Sequence, residues 1–140
     1  PAEAAVFAVR AEALERLGRD VEAEAAYREW LQLEPRSAIA ANNLAYLLAE
    51  RLGRAAEAVP LAERAGRGAN ADPQFVDTLG YVYWKAGRAQ DAVNVLGPLV
   101  ARVPGEASFR QHYGLALKAA GKSKEAEAEF AEAKRRGWKE

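Results

Sequence analysis

The chain is 140 residues long, with 20 Lys plus Arg, 20 Asp plus Glu, one His and no Cys. That length fits a single domain, the zero net charge argues against a nucleic-acid footprint, and one His without Cys excludes disulfides, thiolate metal sites and multi-histidine centres. Half of the residues are hydrophobic, which excludes a largely disordered chain, yet no apolar run approaches the roughly 18 residues of a membrane span.

The residues favour helix. Alanine occurs 33 times, whereas Thr and Ile occur once each. Alanine has the best helix propensity, and strand formers other than Val are scarce. An all-α fold is predicted. The chain opens on Pro1 with no basic and then apolar leader. It is expected to be a piece of a longer protein, and its compartment is not set by these residues.

Gly18, Gly53, Gly87 and Gly121 recur at spacings of 35, 34 and 34 residues. Each lies between two helical patterns, where a left-handed residue ends the first helix. Five residues after each glycine stand Ala23, Ala58, Ala92 and Ala126; four further on stand Tyr27, Ala62, Leu96 and Phe130. The chain therefore divides into four helix–turn–helix units, approximately 4–37, 38–72, 73–106 and 107–140.

The first unit carries Leu14, Gly18, Ala23, Tyr27 and Pro35, with Trp30 late in its second helix. The second carries Leu44-Ala45, Leu48, Gly53, Ala58, Ala62 and Ala65, with one extra residue before Gly53. Pro60 falls inside its second helix, where it removes a backbone donor and crowds the preceding turn. That helix is expected to be kinked or short, ending early at Gly66 and Gly68. In the third unit, Asp72-Pro73 predicts a helix over Pro73 to Ala86. A second runs over Ala89 to Arg102 and stops at Val103-Pro104-Gly105. The fourth unit carries Tyr113-Gly114, Leu117, Gly121, Ala126, Phe130 and Ala133. The small residues Ala11, Ala45, Gly80 and Gly114 are expected to let the two helices of a unit touch through Ala23, Ala58, Ala92 and Ala126.

These markers resemble the tetratricopeptide repeat (TPR) family, whose period is 34 residues. The resemblance covers nearly the whole chain. Leu79-Gly80, Tyr83, Gly87, Ala92 and Pro104 carry it best. It implies an α-α superhelix, because a helix pair cannot bury its apolar face alone and must stack on its neighbours. It also implies a non-catalytic interaction scaffold, with the first helix of each repeat lining a concave face that holds a peptide or a partner segment. In that register the concave residues are Asn42, Tyr46, Asp77, Tyr81, Trp84, Gln111, Leu115 and Lys118. Asn42 and Asn43 are placed to hydrogen-bond a bound backbone. Chaperone-binding TPR domains grip a carboxylate with a clamp of Lys, Asn, Asn, Lys and Arg. Here the corresponding places hold Ala8, Glu12, Asn43, Gln74 and Thr78 in the first three repeats, and Asn42, Tyr46, Thr78, Ser108 and His112 in the last three, so that reading is rejected. A second, shorter resemblance links Val76–Tyr81 and Phe109–Gly114 to bacterial TPR proteins of envelope and exopolysaccharide-export systems.

Charge is uneven along the chain. Residues 1–37 hold 8 acidic and 5 basic side chains, and residues 107–140 hold 5 acidic and 8 basic. Ends of net −3 and +3 give a rival reading, end-to-end self-association. No cofactor is expected. His112 has only Ser108 as a neighbouring nucleophile, and no phosphate loop, nucleophile elbow or metal-ligand motif accompanies them. His112 is accordingly read as a surface or groove contact and the chain as no enzyme. Trp138 is expected to fold back over the last helix pair.

Overall fold

The structure, a computed structural model, describes residues 2–68 and 70–140. Helices α1 (Ala2–Arg16), α2 (Asp20–Leu33), α3 (Ala38–Glu50), α4 (Ala55–Gly66), α5 (Pro73–Lys85), α6 (Ala89–Arg102), α7 (Ala107–Ala119) and α8 (Ser123–Arg135) follow one another, with no strand among the described residues. They pair as α1–α2, α3–α4, α5–α6 and α7–α8, and each even helix also packs on the odd helix that follows. Successive odd helices α3, α5 and α7 touch, whereas no even pair packs to the same extent. The odd helices therefore lie on the inside of the curve.

Local chemistry accounts for the helix ends. The Ser37 hydroxyl accepts from the Ala40 N–H at 3.1 Å, and the Asp72 carboxylate accepts from the Gln74 N–H at 2.8 Å. These caps satisfy donors that the first turn leaves free. The first three even helices begin differently. An Arg at the cap position forks onto an acid three residues on: Arg19 onto Glu22 at 2.7 Å, Arg54 onto Glu57 at 2.5 Å and Arg88 onto Asp91 at 2.8 Å. The four turn glycines all have positive φ, Gly87 at 78° for example. Behind Gly18, Gly87 and Gly121, the next N–H reaches the carbonyl five residues back, as in Arg88 to Tyr83 at 2.8 Å. The second repeat absorbs its extra residue here: Arg54 reaches back six residues, to Leu48, at 2.8 Å.

Two expectations need correcting, the first only in part. Helix α4 is the shortest of the described helices, at 12 residues, and ends at Gly66 as expected, but it runs unbroken through Pro60. Pro60 and Ala56 are both exposed, so the carbonyl that proline leaves unpaired faces water and the defect is tolerated. Gly66 is helical, and its lack of a side chain serves close packing: a Cβ there would sit 2.6 Å from the Phe75 carbonyl oxygen. The second correction concerns the helix contacts. Gly80 receives Leu96, and Gly114 receives the Phe130 ring, rather than the alanines expected opposite them. The glycine on the first helix is a socket for a large side chain on the second. The core formed in this way is continuous along the array, with Tyr27, Leu44, Leu48, Leu79, Tyr83, Leu96 and Phe109 fully buried or nearly so.

Candidate concave binding face

Of the residues picked out in sequence, Asn42 and Tyr46 stand on α3, Asp77, Tyr81 and Trp84 on α5, and Gln111, Leu115 and Lys118 on α7. The contacts between odd helices bring the α3 and α5 aromatics together. Tyr46 stacks on Tyr81 with centroids 5.7 Å apart, and Tyr81 meets Trp84 at 5.5 Å. From Tyr81 the row continues to His112 on α7 at 4.8 Å and then to Trp138 at 6.4 Å. Tyr46, Tyr81, His112 and Trp138 thus form a ribbon of rings across three odd helices and the C-terminal segment. Trp138 reaches this place because its N–H bonds to the Ala133 carbonyl at 2.9 Å, turning the chain back as expected. With Gln111, Phe130 and Lys134 it lines a cavity of about 610 Å³.

Polar groups hold the ribbon in position. The Tyr81 hydroxyl donates to the Glu50 carboxylate. Burial, and then that hydrogen bond, push its pKa well above the ordinary tyrosine range. Lys85 lies 6.0 Å from the Tyr81 ring centroid, 5.8 Å from that of Trp84 and 3.9 Å from Glu50. Asp77 is only 8% exposed. Its two oxygens lie 2.8 and 3.0 Å from His112 Nδ1. Burial raises the Asp77 pKa, and the facing imidazole opposes that rise. The carboxylate orients the ring and assigns the proton to Nδ1. Asp77 therefore serves the face through His112. Trp84 is half-buried and packs on the core. Leu115 is half-buried, and Lys118 is exposed and makes no ion pair among the described residues.

His112, Trp138 and Glu50 join this face although the 34-residue register did not select them. The signal for Glu50 was its place one turn after Tyr46. In sequence His112 reads as a surface or groove contact and Trp138 as a cap on the last helix pair, and the structure brings the two rings together.

No group of three or more His, Cys, Asp or Glu side chains among the described residues is placed to hold a metal ion, and no helix there is long and apolar enough to cross a membrane.

Residues 78–140 match the family model described as tetratricopeptide repeat. A TPR repeat-containing protein of Pseudomonas aeruginosa is 34% identical over 71 residues, which are 51% of this chain and 12% of that protein. The chain thus spans about an eighth of that curated relative. Among solved structures, MamA from Desulfovibrio magneticus superposes with a TM-score of 0.84 at 20% identity, covering 98% of this chain and 77% of that one. PilW, a type IV pilus biogenesis factor, superposes with a TM-score of 0.83 at 24% identity, covering 95% of this chain and 61% of that one. The chain folds as a tetratricopeptide-repeat solenoid and carries the family's pattern in sequence over residues 78–140.

Proposed function

We propose that this solenoid is a non-catalytic scaffold that holds an extended protein segment on its concave face. The observation that carries the reading is the ring ribbon from Tyr46 through Tyr81 and His112 to Trp138. Tyr46 is 41% exposed, which leaves part of its ring open to a partner. Aromatic groups of this kind supply contact area at low entropic cost and dominate binding hot spots. Peptide-display selection on the purified chain tests the idea, with Tyr46→Ala/Tyr81→Ala as counter-selection. Tyr46 and Tyr81 are preferred to Trp84, whose removal would also open the core. Each truncation is expected to weaken a selected peptide about 30-fold, with the helical circular-dichroism signal retained. Equal enrichment on the folded variant would remove the concave face from consideration.

End-to-end self-association is the second reading. Opposed terminal charges support it, and so does exposed apolar surface at the first repeat. Val6 is 56% exposed, Val9 69%, Leu17 70% and Val21 72%. The α8 end differs, since it presents Lys124, Glu125, Glu127 and Lys134 to solvent. Sedimentation at rising concentration should show oligomers that dissociate in high salt if charge drives stacking. Monomers throughout, at low salt, would end that reading.

A further inference from the structure

One end of the concave face has an unfilled demand for hydrogen-bond donors. A cleft of about 350 Å³ between α1 and α3 is lined by Glu12, Glu15, Arg16, Tyr27, Asn42, Asn43 and Tyr46. The Asn42 Nδ2 donates to Asn43 Oδ1 at 3.2 Å, which fixes the orientation of the amide. Its Oδ1 is then buried and has no donor. A buried acceptor left in this state is costly, and in native structures such atoms call for a partner. The Glu15 carboxylate accepts from the Tyr27 hydroxyl, so that donor is already used. Glu12 has neither an ion pair nor a hydrogen bond among the described residues, and Arg16 bridges to neither glutamate. The chain's own cation is adjacent but does not fill the site.

Tyr46 closes the cleft with an exposed ring. Burial, and then the carboxylates of Glu50, Asp77 and Glu15, raise the pKa of its hydroxyl, with Arg51 opposing. Two carboxylates, Glu12 and Glu15, stand against one cation, Arg16, in the cleft lining.

We propose that this cleft takes the guanidinium of an arginine side chain from the bound segment. A guanidinium is planar, stacks on an aromatic face and presents five donors in a fork. It matches what the cleft offers: a ring to stack on, the Glu12 carboxylate and the remaining Glu15 capacity. A carboxylate or phosphate would meet repulsion from both glutamates. This assignment deepens the groove reading and rests on it for the rest of the peptide, while the cleft itself can be tested alone.

The test is a titration of the 140-residue chain with N-acetyl-argininamide. The Asn42 side-chain amide and the Tyr46 ring are followed by NMR. Saturable shifts at both are expected, with a dissociation constant on the order of millimolar for so small a probe. Glu12→Gln should weaken binding about fivefold, and the neutral citrulline analogue should produce no saturable shift. Glu12 is exposed on α1, so its replacement leaves packing untouched. Absence of saturable shifts, equal shifts with citrulline, or an unchanged constant in Glu12→Gln would each overturn the assignment. Success here with failure of the peptide selection would leave the cleft and remove the groove. The reverse result would remove the cleft and leave the groove.

Discussion

Replacing Gly80 with valine is expected to destabilise the array by about 3 kcal/mol and to lower its melting temperature by about 10 °C. A Cβ at this position would lie 2.3 Å from Leu96 Cγ, 2.5 Å from Cδ2 and 2.8 Å from Cδ1. Leu96 is fully buried, so it cannot swing into solvent. Either α5 and α6 must separate or Leu96 must leave its rotamer, and both disrupt a densely packed core. Gly80→Ala introduces the same Cβ clash, offset by a helix-propensity gain of about 1 kcal/mol. Gly114→Ala provides the internal comparison. Its Cβ would approach the Phe130 ring at 2.6 Å, but Phe130 is only half-buried and can rotate outward. Urea denaturation should therefore rank Gly80→Ala as clearly more costly than Gly114→Ala. Equal midpoints would show that the socket at Gly80 yields as readily as the one at Gly114.

Tyr83→Ala is expected to cost about 4 kcal/mol. That is a large part of the roughly 5–15 kcal/mol that holds a typical domain folded. The ring is 2% exposed and lies on α5, facing the preceding repeat. Its hydroxyl donates to Glu63 at 2.6 Å and accepts from Arg67 at 3.1 Å, both from the second repeat. The Arg88 guanidinium sits 4.7 Å from its ring centroid. One side chain thus joins the second repeat to the third. Stability in a solenoid is approximately a sum of repeat terms and nearest-neighbour interface terms, so damage at this joint should uncouple the halves. Trp30 lies in the first repeat, Trp84 in the third and Trp138 in the fourth, so fluorescence weights the second half of the array. In the wild-type chain, far-ultraviolet dichroism and tryptophan fluorescence should report one common transition. In Tyr83→Ala the two probes should separate. Tyr83→Phe keeps the ring and loses only the hydroxyl, and should cost about 1 kcal/mol with coincident transitions. Coincident transitions in Tyr83→Ala would show that the joint lies elsewhere.

The scaffold was legible because its signals are local. Ala-rich helices, Asp72-Pro73 as a start and the glycine at each turn act within a few residues. Their recurrence every 34 or 35 positions reports the repeat directly. The all-α fold, the four helix pairs and the placement of Asn42, Tyr46, Asp77, Tyr81 and Trp84 on successive first helices all follow from that recurrence. Pro60 misled for a complementary reason. Proline disfavours a helix interior locally, but the position of Ala56 in solvent, which makes the lost bond tolerable, depends on how α4 docks.

The composition of the inner face depended on the rotation between repeats. A strict 34-residue step from Tyr81 leads to Leu115, yet the ring that meets Tyr81 is His112, with Asp77 behind it. That rotation is set by packing summed over both helices of each pair, including which large side chains fill the sockets at Gly80 and Gly114. No single position encodes it. The orphan acceptor of Asn42 is equally a tertiary property, since an asparagine is unsatisfied only relative to what surrounds it. The amino-acid sequence by itself determined the helices, their ends and their repetition, because those rest on contacts within a few residues. Which aromatic and polar groups converge on the inner face was decided by the superhelical packing, because it brings together residues some 30 to 35 positions apart.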